Sequence, residues 1–164
     1  SGSFANLQCH HLYFPGISKH SRSNAISIKC TLDPYVAFTY FCAVGGLVAM
    51  KICNFLIVCM SLHIPYDNHE TMSLEHTLDD INTLIYRVKQ QAKILHIPPD
   101  HIKFCGGGDF NAVLHLSHEV SSRKSDIIAW LSQHSFLLSK PIADNLVSQT
   151  SCWGLRIIIH LSYN

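Results

Sequence analysis

The sequence predicts a layered α/β domain in which strands are grouped on either side of a long helix. The chain has 164 residues, of which 48% are hydrophobic and only 14% charged, so it can bury a sizeable core and is not disordered. Apolar segments rich in β-branched and aromatic residues fill positions 25–62, and helical periodicity follows over 74–95. Strands with intercalated helices, without internal repeats, are typical of α/β or α+β layers.

Net charge and cysteine content bear on two properties of the protein, its binding to nucleic acid and its cellular compartment. The net charge of +1 indicates no large basic surface of the kind that binds nucleic acid non-specifically, although twelve histidines can add positive charge at acidic pH. The seven cysteines are scattered and form no C-x-x-C pair, which favours reduced thiols over disulfides. No basic-then-apolar signal opens the chain, so we expect an intracellular protein, nuclear or cytoplasmic.

The first twenty residues are predicted to be an irregular lead-in to a domain over 21–164. Cys9, His10 and His11 are three potential metal ligands in a row. Adjacent side chains rarely converge on one ion, and nothing nearby offers the usual ligand spacing. We therefore do not predict a zinc site from these three residues.

Four strands are predicted between residues 25 and 62. Residues 25–30 alternate apolar with polar side chains, as in a half-buried strand, and 32–35 form a turn. Three further strands follow over 36–62, with turns near Gly45-Gly46 and Cys53-Asn54.

The same apolar stretch has an alternative interpretation as a membrane span. Residues 35–62 contain one charge, Lys51, and are long enough to cross a bilayer. The Gly-Gly break, Asn54 and the absence of a flanking basic cluster favour buried strands instead.

The clearest helix begins after Ser73, which can cap it, and Pro98-Pro99 forbids its continuation. Its apolar residues fall three and four positions apart and form one face: Leu74, Leu78, Ile81, Leu84, Ile85, Val88, Ala92 and Leu95. A second helix is predicted from Ser125-Asp126, with strands at 136–138 and 156–161.

The most chemically suggestive segment lies between these helices. A short strand over 101–105 is predicted to stop at three glycines, and Asp109 and Asn111 follow. Two polar residues at this spacing project to the same side of an extended chain and can hold a hydrated divalent cation or a phosphate oxygen. The competing interpretation is that both residues only cap a turn.

Residues 107–112 (GGDFNA) resemble the GDFN signature of the exonuclease–endonuclease–phosphatase superfamily. Residues 61–65 resemble that family's strand ending in tyrosine and proline, with His63 at the tyrosine position, and the long helix lies between the two as in the family. Residues 21–28 resemble its Gly-Gly-led strand. The downstream order resembles endonuclease domains of LINE-type retrotransposons, through Arg123, Trp130-Leu131, Phe136-Leu137, Thr150 and Arg156-Ile157.

This resemblance implies a partial four-layer α/β/β/α sandwich of the deoxyribonuclease-like type. It implies hydrolysis of nucleic-acid phosphodiesters, DNA rather than RNA, with Mg²⁺ or Mn²⁺. Asp109 would bind the metal and orient or deprotonate water, Asn111 would hold the scissile phosphate, and His63 is the third candidate catalytic residue.

The sequence also departs from the family pattern. No glutamate precedes Glu70 to bind metal, Ile158 replaces an acid, and the final residues lack the family's Ser-Asp-His. The resemblance therefore implies a truncated relative with weak or lost activity. The alternatives are an inactive binding module or a non-functional fragment of a retrotransposon reading frame. Loss of the first strands would expose an apolar sheet and favour self-association, and no membrane partner is expected.

Overall fold

In the computed structural model, the described residues are 3–7, 10–14, 25–64, 73–110, 121–138 and 159–160. They form a small antiparallel sheet of β1 (Ser3–Leu7), β2 (His10–Phe14) and β3 (Ile26–Lys29). The central sheet contains β4 (Val36–Cys42), β5 (Gly45–Ile52), β6 (Phe55–His63) and β7 (Ile102–Asp109). The remaining elements are the helices α1 (Leu74–Ile94) and α2 (Ser122–Gln133), the strand pair β8 (Leu137–Leu138) and β9 (Ile159–His160), and 3₁₀ turns at Cys30–Tyr35 and Pro99–His101.

The central sheet combines two hairpins with one parallel crossover. β4, β5 and β6 pair antiparallel, and β6 pairs parallel with β7 through α1. Cys53 has a φ of 53°, as the tight turn between β5 and β6 requires. The apolar stretch 35–62 therefore forms sheet strands, which confirms the buried-strand prediction. Within the described ranges, no helix is long and apolar enough to cross a membrane.

Layers cover both faces of the central sheet. On one face, the buried alternate residues of β6 pack with α1 and α2 in the main core: Leu56, Val58, Met60 and Leu62. On the other face, Ile26 and Ile28 of β3 pack on Val48 and Met50 of β5. The predicted α/β layered fold is confirmed.

The long helix α1 is confirmed, with a different ending. The Ser73 hydroxyl accepts a hydrogen bond from the His76 N–H at 3.3 Å and so caps the first turn. The helix ends before the prolines, because His96 takes a left-handed φ of 55°. The Ile97 N–H then donates to the Ala92 carbonyl at 2.9 Å, which satisfies an otherwise unpaired helix-end carbonyl.

The structure refines three of the predicted boundaries. Within the segment predicted as an irregular lead-in, residues 3–7 and 10–14 form β1 and β2, which pair antiparallel. The β4–β5 turn lies at residues 43–44, next to Gly45-Gly46 as predicted. These glycines begin β5, and a Cβ on Gly45 would lie 2.6 Å from the Ser61 carbonyl oxygen. Helix α2 begins at Ser122 rather than Ser125-Asp126, because the Ser121 hydroxyl accepts from the Lys124 N–H at 3.1 Å.

The predicted strand 101–105 is also longer than expected. β7 continues through all three glycines to Asp109. A Cβ on Gly106 would collide with the Met60 carbonyl oxygen, and one on Gly108 with the Leu62 carbonyl oxygen. The glycines therefore let β7 approach β6 closely and continue beyond the point at which the sequence predicts its end.

Candidate active site

The candidate site lies where β6 and β7 end side by side. Because these strands are parallel, their carboxyl ends meet at the same edge of the sheet, and His63 pairs in register with Asp109. The Ile64 N–H donates to the Asp109 carbonyl at 2.8 Å, and the His63 N–H donates to the Val44 carbonyl at 2.8 Å. Backbone hydrogen bonds therefore hold both residues in place.

Burial of their neighbours decides which way the two side chains point. Leu62, Ile64 and Phe110 are buried on the helix-covered face. Since side chains alternate along a strand, His63 and Asp109 project from the opposite face. His63 is half-buried and Asp109 is exposed. An imidazole and a carboxylate thus stand next to each other with access to solvent.

The same face carries a pair of thiols four residues before the site. Cys59 and Cys105 are also in register, and their Sγ atoms lie 3.5 Å apart. A hydrogen bond from Cys59 lowers the pKa of the Cys105 thiol to about 7, against the opposing effect of burial. The same hydrogen bond, with burial and the charge on Cys105, raises the pKa of Cys59. The pair favours one thiolate near neutral pH.

The structure of this chain is similar to that of a solved endonuclease domain. It resembles the endonuclease domain of TRAS1, a telomere-specific non-LTR retrotransposon, with a TM-score of 0.56 and 13% sequence identity. The match covers 93% of this chain, and the chain spans 64% of that domain's length. The fold is endonuclease-like.

No family model matches the sequence, and no curated protein matches it. The endonuclease-like fold agrees with the predicted resemblance to retrotransposon endonucleases, at the level of architecture.

The endonuclease-like fold brings together two of the three predicted site residues. His63 and Asp109 are neighbours, whereas Asn111 lies outside the described residues. Cys59 and Cys105 were missed as neighbours of the site. In the sequence, each cysteine lies four residues before a site residue, but only the register of β6 and β7 shows that the two thiols meet.

The donor set fits a divalent cation in part. An exposed carboxylate such as Asp109 can supply one oxygen to Mg²⁺ or Mn²⁺, which commonly bind one or two carboxylates together with substrate phosphate and water. The His63 imidazole is a poor ligand for Mg²⁺ but a good hydrogen-bond donor to a phosphate oxygen. In the described part of the chain, Asp109 belongs to no group of three close His, Cys, Asp or Glu side chains.

Proposed function

We propose that this chain carries the phosphate-holding edge of a metal-dependent phosphodiesterase domain that acts on nucleic acid. The supporting observation is the register pair His63–Asp109 at the carboxyl end of two parallel strands in an endonuclease-like fold. Mg²⁺ or Mn²⁺ is the proposed cofactor, and it would supply positive charge to the phosphate when bound.

The proposed roles follow from the chemistry of phosphodiester hydrolysis. Water is a poor nucleophile at neutral pH, so a base must orient it and take its proton, which is the role we assign to Asp109. Negative charge spreads over the phosphate oxygens in the transition state and needs fixed donors. We assign donor roles to the His63 ring N–H and to the Asn111 side-chain amide.

We propose that the activity is weak. Asp109 is the single carboxylate that we assign to the metal, and a divalent cation held this way depends on substrate phosphate for most of its remaining ligands. The same observation favours a second candidate function, a binding module that holds nucleic acid without cleaving it.

The proposed partners follow from the structural relative and from the sheet. The relative belongs to a telomere-specific retrotransposon, which supports DNA over RNA as the nucleic-acid partner. On the site-bearing face, Ile57 and Cys59 of β6 are only half-buried, as are Lys103 and Cys105 of β7. We propose that this face mediates self-association.

Plasmid nicking tests the proposal. With enzyme in excess over supercoiled DNA and Mn²⁺ present, we expect slow nicking that EDTA stops. Asp109→Ala should abolish it and His63→Ala should slow it at least about tenfold, because loss of one member of a catalytic unit costs orders of magnitude in rate. Asp100→Ala is the matched control, since Asp100 is an exposed acid just before the opposite end of β7.

Two outcomes would change the assignment. Nicking that survives Asp109→Ala would contradict the proposed site. No nicking by any variant, with DNA binding in a filter assay that His63→Ala weakens, would favour the binding module.

A further inference from the structure

The small sheet separates two histidines that are adjacent in sequence. His10 pairs with Lys29 across β2 and β3, and both are exposed. His11 pairs with Ile28, which is buried against the central sheet, and His11 is half-buried. Because paired residues share a face of the sheet, the His11 side chain lies on the inner face and His10 on the outer face.

A 3₁₀ turn brings two further ligand-type side chains to His11. The turn begins at Cys30, directly after β3, and contains Asp33. In a 3₁₀ helix, side chains three residues apart eclipse each other, so Cys30 and Asp33 share one side of the turn. The ligand atoms of His11, Cys30 and Asp33 all lie within 4.8 Å of one another. His11 Nδ1 and Asp33 Oδ2 are in direct contact.

The three donors match one class of metal ion. Nitrogen, sulfur and oxygen donors together suit Zn²⁺, whereas Mg²⁺ and Ca²⁺ prefer oxygen alone. A tetrahedral zinc, with ligand distances of about 2.0–2.3 Å, places its ligand atoms roughly 3.3–3.8 Å apart. The three ligand atoms all lie within 4.8 Å of one another, so side-chain rotations alone could bring them to these separations.

A fourth residue orients the carboxylate. The Tyr13 hydroxyl donates a hydrogen bond to Asp33 Oδ1 at 3.1 Å, and Asp33 Oδ2 faces His11. Such outer hydrogen bonds are typical of metal sites, because they fix a ligand's orientation before the ion arrives.

We propose that His11, Cys30 and Asp33 form a zinc site, with water as the fourth ligand, that links β2 to the 3₁₀ turn. The site lies on the small sheet and does not depend on hydrolysis at Asp109.

Metal titration of the whole chain tests this proposal. After EDTA treatment and dialysis, we expect isothermal titration calorimetry to show one Zn²⁺ site per chain. This site should bind Zn²⁺ more tightly than the other histidines and cysteines of the chain do. Co²⁺ should give a thiolate-to-cobalt charge-transfer absorption at the same stoichiometry. Cys30→Ser should remove that absorption, and His11→Ala and Asp33→Asn should each weaken Zn²⁺ binding at least about tenfold.

Matched controls separate this site from the other histidines and cysteines. His10→Ala changes the neighbouring exposed histidine, and Cys53→Ser changes an exposed cysteine, so both should bind Zn²⁺ like the wild type. Tyr13→Phe keeps all three ligands, removes only the hydrogen bond to Asp33 and should weaken Zn²⁺ binding about tenfold. It therefore tests the site even if a variant that lacks a ligand fails to fold. No one-to-one binding, or equal loss in His10→Ala and His11→Ala, would overturn the proposal.

Discussion

His63 and Asp109 show how a strand position sets the environment of a single residue. Both sit one residue from a buried apolar anchor, Ile64 and Phe110 respectively, and both are fixed through backbone hydrogen bonds. The side chains therefore project to the half-buried face of the sheet, opposite to the helices. Cys59 and Cys105 follow the same rule on the same face, and their short contact makes them chemically unequal.

The unequal thiols predict a pH-dependent reactivity. Cys105 alkylation by iodoacetamide should rise with a midpoint near the lowered pKa of about 7, because the thiolate is the nucleophile. Cys59→Ala removes the hydrogen-bond donor, so the midpoint should move up towards that of an ordinary thiol, about 8.5. Cys59→Ser keeps an O–H donor and should retain most of the lowering.

Peptide mass spectrometry measures each cysteine separately, and exposed Cys53 reports the reagent's activity at each pH. An identical Cys105 profile in the wild type and in Cys59→Ala would show that the hydrogen bond does not control this thiol.

At the scale of elements, Asn82 of α1 makes polar contacts to Trp130 and His134 in a largely apolar interface with α2. The indole N–H of buried Trp130 donates to Asn82 Oδ1 at 2.8 Å, and His134 Nε2 lies 2.8 Å from the same oxygen. Burial, and secondarily the charge of Lys89, lowers the pKa of His134, so its neutral form is favoured in the folded protein. The three side chains thus set how α2 docks on α1.

Asn82→Ala should destabilise the protein by about 1–3 kcal/mol, because the Trp130 N–H would remain buried without its acceptor. The free energy of unfolding from urea denaturation measures this change. Thr83→Ala, at the next and exposed position of α1, is the control and should change it by less than about 0.5 kcal/mol. Equal free energies of unfolding for Asn82→Ala and Thr83→Ala would show that the Trp130–Asn82 hydrogen bond does not stabilise the packing of α2 on α1.

At the scale of the molecule, the two faces of the central sheet are covered unequally. The face under α1 and α2 is fully buried along β6, whereas the opposite face of β6 and β7 is half-buried. The small sheet covers part of this second face: Ile26 and Ile28 pack on β5, and Ile57 and Cys59 of β6 lie against the same cluster. The face that bears the candidate site is therefore also the less deeply buried of the two.

This asymmetry predicts self-association. Light scattering should show a mass above that of the monomer, increasing with protein concentration, because contact between copies removes apolar surface from water. Phe55→Lys places a charge on the same face of β6, at a side chain that is 42% exposed, and should shift the protein towards monomer. Ile128→Lys, on the exposed side of α2, should not. A wild-type chain that is monomeric at every concentration would refute the prediction.

Local signals in the sequence determined much of this architecture. The periodicity over 74–95 predicted α1, and the cap at Ser73 predicted its start, because neighbours in a helix are close in sequence. The strands within 25–62 followed from β-branched and aromatic content. The GDFN signature within residues 107–112 predicted Asp109 as a candidate site residue from the sequence alone.

Only the tertiary structure decided which distant residues meet. From the local sequence, the glycines of β7 predict the end of a strand. In the sheet they lie within the strand and allow close contact with β6. His63 reaches Asp109, and His11 reaches Cys30 and Asp33, through strand pairing between separate segments. Register depends on packing of whole faces against a core, so a one-residue shift would turn each of these side chains away. Sequence periodicity records a residue's face on its own strand, whereas the partner strand and its alignment are set when the layers pack.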